Sequence, residues 1–186
     1  GGGACPTDTT ALGDGFDGAS LDPCWTIFND AVVQASVANG ALALELVAPA
    51  LWFNTSQGAL LYKTVTGDFR VTTTVRVRKA SANEAPDAII HLAGLMARDP
   101  ASDDTGTENY VFIVAGFDEN DISIETKSTV DDVSDYDGPS WPSADAELRI
   151  CRVGAAFTLY KRPIGGATWE EAQVYDRPDI DRKSVV

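Results

Sequence analysis

Glu119, Asp121 and Glu125 have matching parity around a segment whose apolar residues alternate. On one strand, residues two apart project the same way at about 6.5–7 Å. Glycoside hydrolysis needs two carboxylates about 5–5.5 Å apart for retention or 6.5–9.5 Å for inversion, one as acid and the other as nucleophile or base. The same residues also read as a hairpin turn, Asp118-Glu119-Asn120-Asp121, followed by a solvated strand end. A second chemistry is carried by aromatic side chains. Trp52, Tyr62, Tyr136 and Trp141 fall in or beside loops and strand ends, where an aromatic plane can stack on the apolar face of a sugar ring while amides and carboxylates bond its hydroxyls. Arg98, Asn109 and Glu125 are candidates for those polar contacts, and Trp141, between Pro139 and Pro142, is expected near the surface. Hard oxygen ligands for Ca²⁺ are plentiful in Asp99, Asp103, Asp104, Asp131, Asp132, Asp135 and Asp137, although no twelve-residue calcium loop is present. His91 is the single histidine, so His-rich metal centres are excluded and Ser-His-Asp chemistry has little room.

The composition limits what these groups can serve. With 28 acidic against 14 basic residues, the net charge of −14 repels phosphate backbones and anionic lipid surfaces, so nucleic acid is excluded as an expected partner. Apolar residues make up 44% of the 186, enough for a real core and one domain, and no apolar run reaches the length of a membrane span. The chain opens Gly1-Gly2-Gly3-Ala4-Cys5 without an initiator Met, and the expectation is a secreted protein whose signal has been removed. Cys5, Cys24 and Cys151 lack C-x-x-C spacing. A Cys5–Cys24 disulfide with Cys151 left over is the simplest pairing, three unpaired thiols the other reading.

The elements that must position these residues are strands. From Thr66 to Arg78, Phe69, Val71, Val75 and Val77 take one parity and Arg70, Thr72, Thr74, Arg76 and Arg78 the other, the period of a half-buried strand to whose sheet every other apolar run must be fitted. Residues 1–13 read as an irregular arm and 14–186 as one β-domain. Asn39-Gly40 between Val32–Val37 and Ala41–Leu46 predicts a hairpin. Leu51–Phe53, Leu60–Tyr62, Ala88–Ala97, Tyr110–Phe117 and Ile122–Lys127 read as further strands, the last sending Ser123, Glu125 and Lys127 away from the core side of Ile122 and Ile124. An acidic loop is expected over Thr129–Asp145, then a hairpin of Ala146–Arg152 and Ala156–Lys161 and a short strand at Ala172–Tyr175. Helical periodicity is absent, and about ten strands predict an all-β, two-sheet antiparallel sandwich.

The succession Phe16-Asp17-Gly18, Leu21-Asp22-Pro23, Trp25, Asn39-Gly40-Ala41-Leu42, Leu60-Leu61-Tyr62, Thr66-Gly67-Asp68-Phe69 and Ala93-Gly94-Leu95-Met96-Ala97-Arg98 resembles the concanavalin A-like jelly-roll superfamily. Within it the likeness is to the bacterial DUF1349 (regulation-of-enolase-like) proteins and to sandwich domains of glycoside hydrolases. Leu148-Arg149-Ile150, Arg152, Gly154, Phe157, Tyr160 and Trp169 extend it, so it covers most of residues 14–179. The resemblance implies a jelly roll of two curved sheets, a sugar-binding concave face on which Tyr136 and Trp141 converge with Glu125, and in some members a bound calcium, for which Asp14, Asp17 and Asp22 are the N-terminal candidates. The carboxylate trio Glu119, Asp121 and Glu125 resembles the catalytic strand of the laminarinase-like hydrolases, with a longer gap before Glu125. Where such proteins continue with a core strand after Pro178-Asp179, this chain stops at Ser184-Val185-Val186, so a short or absent final strand would expose a sheet edge for self-association or for a larger parent protein. The expected function is carbohydrate binding without catalysis, with a glycoside hydrolase or a self-associating adhesive subunit as the alternatives.

Overall fold

The computed structural model describes residues 12–80, 82–102, 107–180 and 183–185. The arm expected over residues 1–13 falls, up to residue 11, outside them. Among the described residues the regular elements are fourteen strands and one 3-10 turn. In chain order the strands are β1 (Thr26–Phe28), β2 (Val33–Ala38), β3 (Ala41–Leu46), β4 (Leu60–Tyr62), β5 (Thr64–Thr66), β6 (Phe69–Arg76) and β7 (His91–Arg98). They continue with β8 (Tyr110–Phe117), β9 (Ile122–Val130), β10 (Val133–Asp137), β11 (Asp145–Val153), β12 (Ala156–Arg162), β13 (Glu170–Asp176) and β14 (Lys183–Val185).

These strands build a β-sandwich. A six-stranded sheet runs β10-β9-β8-β7-β14-β5 and a four-stranded sheet β13-β12-β11-β6, with every pairing antiparallel. β11 lies over β7 and β8, β12 over β8 and β13 over β9. On β11, Ala146, Leu148 and Ile150 point inward with no exposed surface, and on β12 Phe157 and Leu159 do the same. They meet Ala97, Val111, Ile113, Ala115 and Ile124 from the facing sheet. Burial of each large side chain in this set contributes about 1.5–3 kcal/mol.

Turn chemistry fixes the registers. Asn39 and Gly40, both at positive φ (53° and 72°), close β2 on β3 with Ala38 opposite Ala41. Asp131 and Asp132 (47° and 68°) make the same two-residue turn between β9 and β10. The acidic stretch expected to be a loop from Thr129 to Asp145 is therefore largely hairpin: Asx-type residues tolerate positive φ, and the strand after them pairs.

Three other expectations change. β6 alternates as predicted but is an edge strand of the smaller sheet, and the other apolar runs are divided between two sheets instead of joining it. Leu51–Phe53 is a loop with a single bridge from Phe53 to Ser56, because Asn54 at φ 49° turns the chain. The run expected from Ala88 enters its strand only at His91, after Ile90 at φ 58°.

A third layer lies on the far face of the six-stranded sheet. β1 pairs with β4, and Trp52 and Leu60 pack on Met96, Tyr110, Phe112 and Val114. This is why β8 and β9 are buried along both parities.

Candidate functional site

The outer face of the six-stranded sheet is composed by register. Phe112 stands opposite Lys127 and Val114 opposite Glu125 across β8 and β9, and Tyr136 on β10 stands opposite Lys127. Polar residues that alternation would send to water are here under the third layer. Glu125 is 4% and Lys127 5% exposed, and their charges meet at 3.0 Å. The Lys127 ammonium also donates to the Trp52 carbonyl (3.1 Å) and lies over the rings of Phe112, Phe53 and Tyr136 at 4.5, 5.0 and 5.3 Å. Cation–π attraction strengthens when the cation is desolvated, so the three rings replace part of the lost hydration.

Above this pair two aromatic side chains reach solvent. Phe53 is 39% and Tyr136 49% exposed, and their rings meet edge to face at 6.1 Å. The loop carrying Phe53 is tied to β10 by a reciprocal clasp: the Asn54 amide donates to Ser134 Oγ (3.0 Å) and the Ser134 amide donates to Asn54 Oδ1 (3.1 Å). The platform is thus held by both the third layer and the sheet edge.

At the β8–β9 end of the face, Asp118 accepts from the amides of Asn120 (2.7 Å) and Asp121 (3.1 Å), closing the four-residue turn 118–121. Glu119 and Asp121 are exposed in that turn while Glu125 is buried along the strand, so the matching parity of the trio does not make one carboxylate cluster. Asp118 takes a place that sequence parity did not give it. A side chain begun at Gly138 would lie 3.5 Å from the Asp118 carboxylate and 3.7 Å from Glu125 Cβ, so the glycine leaves a gap between the two acids. Burial pushes the Glu125 carboxyl above its ordinary range, with Lys127 opposing and the charges of Asp118 and Glu119 adding to the rise. For Asp118 burial acts in the same upward direction, but the amide donors of its turn and the Ser123 hydroxyl outweigh it and hold its carboxyl low.

The other predicted ligand contacts lie elsewhere. Arg98 is 1% exposed and grips Glu108 through two bonds of 2.9 and 2.8 Å, with its guanidinium over Phe28 and Trp52. Trp52 is part of the packing between layers: it stacks on Phe28, meets Tyr110 edge-on and donates to the Ala59 carbonyl (3.2 Å). Asn109 clasps the β9–β10 turn, accepting from the Asp131 amide (3.0 Å) and from Arg177 (3.3 Å). Trp141 packs against the core between the sheets with the Lys161 ammonium over its ring at 4.9 Å, so it does not converge with Tyr136.

Of the metal candidates, Asp14 accepts from Trp25 Nε1 (2.8 Å) and the Phe16 amide (2.7 Å), and Asp22 accepts from the Cys24 amide (2.7 Å). Asp17 reaches the β2–β3 turn, where its carboxylate lies 3.3 Å from the position of a Gly40 side chain. Asp132 accepts from the Glu108 amide (2.8 Å), and Asp103 and Asp104 lie outside the described residues. Among the described residues no three His, Cys, Asp or Glu side chains gather at metal-holding distance. Cys24 is disulfide-bonded and Cys151 is free; Cys5, the expected partner, lies outside the described residues.

Phe53, Lys127 and Asp118 were not singled out by the sequence. Lys127 was legible only as an outward-facing residue of β9, and Phe53 only as a strand residue beside Trp52. No helix among the described residues is long and apolar enough to cross a membrane.

No protein-family model matches the chain, and no curated protein matches it. Among solved structures, the fold is similar to the crystal structure of a functionally unknown protein from Saccharomyces cerevisiae, with a TM-score of 0.59 at 12% identity over 87% of this chain and 82% of that one. At that identity the likeness is one of fold.

Proposed function

We propose that this protein is a secreted carbohydrate-binding module of the concanavalin A-like kind, taking a sugar on the outer face of the six-stranded sheet without altering it. The observation that carries the reading is the exposed Phe53–Tyr136 platform set above a buried, charged Glu125–Lys127 pair. Aromatic planes supply stacking surface, and the half-buried Asp118 at one end of the face, beside the gap at Gly138, supplies an acceptor for hydroxyl groups. A disulfide at Cys24 supports an oxidising compartment. Titration of immobilised glycans with the wild type and Tyr136→Ala tests the proposal, since loss of sugar binding with an unchanged melting temperature is its expected outcome.

A second reading, glycoside hydrolysis, is favoured by one observation. The Glu125 carboxyl is held high and the Asp118 carboxyl low in the same corner, and separation of two carboxyl pKa values is how an acid and its partner are assigned. Asp118 would then replace Glu119 and Asp121 as the second carboxylate. Turnover of any bound glycan by the wild type that disappears in Glu125→Gln would favour this reading over simple binding.

A further inference from the structure

The outermost strands of the two main sheets are guarded against pairing with other chains. β10 carries Asp135 and Asp137 after the Asp131-Asp132 turn, β13 carries Glu170, Glu171 and Asp176, β6 carries Arg70 and Arg76, and β5 is three residues long. Charge and short length are how edge strands avoid such pairing. β7 is different. It pairs with β8 along its whole length, but on its other side, among the described residues, only Arg98 has a strand partner, Val185 of β14. Met96, Ala97 and Arg98, at the β14 end, are buried, whereas His91, Ala93 and Gly94 are exposed. The open stretch His91-Leu92-Ala93-Gly94-Leu95 contains no Lys, Arg, Asp, Glu or Pro.

The opposite sheet is unfinished at the same place. β13 lies over β9, β12 over β8 and β11 over β7 and β8, so β6, next in line, lies over β7 and the space beside it. Its inward Val71, Thr73 and Val75 are only half-buried, where Ala146, Leu148 and Ile150 of β11 have no exposed surface. Just before β7, Ile89 is 67% and Ile90 40% exposed, and Ile90 is held at φ 58°, a left-handed conformation that is costly for a β-branched residue.

We propose that this edge pairs with the same edge of a second copy of the chain, antiparallel about a two-fold axis through Ala93. The boundaries of the open stretch favour like pairing with like. A two-fold at Ala93 sets His91 opposite Leu95, and Ile90 of each copy at the Met96 of the other. The left-handed turn at Ile90 leads each chain out of the ladder before it meets β14, whose pairing with β7 is at Arg98. An uninterrupted strand would run into β14. The pairing brings the exposed Ile89 and Ile90 to the other copy, and the added strand covers Val71 and Val75 of β6. So short a ladder makes a reversible dimer, not a permanent one. The net charge of −14 on each copy opposes association, so added salt strengthens it. This surface is separate from the Phe53–Tyr136 platform and does not depend on sugar binding.

Sedimentation equilibrium of the intact protein at low and moderate salt tests the proposal. The expected result is a monomer–dimer equilibrium that shifts toward dimer as salt rises. Ala93→Lys sets two ammonium groups opposite each other and should weaken the dimer about fivefold or more, with the melting temperature of the dilute monomer unchanged. In a Cys151→Ser background, Ala93→Cys should form a disulfide-linked dimer on mild oxidation, because directly opposed Cβ atoms lie about 4.5–5.5 Å apart. A protein that stays monomeric up to about 1 mM, a dimer as tight in Ala93→Lys as in the wild type, or an Ala93→Cys protein that does not cross-link would each overturn the proposal.

Discussion

Arg98 and Glu108, each 1% exposed at the side chain, are the most deeply buried ion pair among the described residues, and Gln57 also donates to the carboxylate. Such a pair is costly to bury, but breaking it is costlier because one charge remains. Glu108→Ala is expected to lower stability by about 3–5 kcal/mol, read from the urea midpoint, with no bearing on any sugar. The sequence could not disclose this role: an arginine ending an apolar strand reads as exposed, and its partner is ten positions on, across a loop. Glu125 gives a prediction of a different form. Its folded pKa is raised, so the folded state holds this proton more tightly than the unfolded chain does. The resulting stabilisation is full below the unfolded value near 4.5 and is lost as pH rises through the folded pKa. Melting temperatures of the wild type and Glu125→Gln measured from pH 4 to 8 should therefore diverge, the wild type losing stability relative to the variant as pH rises.

Strands β8 and β9 show where alternation stops being informative. β6 has one face on the core and one in water, and its parity predicts its burial residue by residue, while β11 and β12 alternate in the same way with the charged Arg152 and Lys161 also turned inward. β9 has the same polar alternation in Ser123, Glu125 and Lys127, yet those side chains are buried: the Trp52–Phe53 loop lies over Lys127, Glu125 pairs with Lys127, and residues 138–140 run beside Glu125 and Ser123. A covering layer made of short strands and single anchors leaves no periodic trace, so both the burial of Lys127 and the platform above it were illegible. The hairpin at Asn39-Gly40 was legible because its turn residues must adopt positive φ, and Asp131-Asp132 does the same with a weaker signal. Gly94 on β7 meets a tighter demand. A methyl there would collide with the Ile113 carbonyl oxygen and lie 2.7 Å from Val114 Cα, both backbone atoms that cannot swing aside. Gly94→Ala is expected to destabilise by about 1–3 kcal/mol, the range for overpacking, seen as a lower denaturation midpoint with an unchanged slope.

At the scale of the molecule, two sheets and a partial third layer give two outer faces, one carrying the Phe53–Tyr136 platform and the other Trp169 stacked on Arg149 and Arg162. The two-sheet architecture was legible from strand count and turn spacing, whereas which side chains meet on each face depended on which strand falls beside which. Sugar binding at the first face is the central claim, and Tyr136 is its most direct probe because half of its surface is open to solvent. The decisive measurement is the affinity of the best-binding glycan from an array for the wild type and for Tyr136→Ala, taken with the melting temperature of each. The account predicts that Tyr136→Ala loses about 1.5–3 kcal/mol of binding free energy, the scale of one large apolar contact, and melts within a few degrees of the wild type. A wild type that binds no glycan, or a Tyr136→Ala protein that binds as tightly as the wild type, would contradict it.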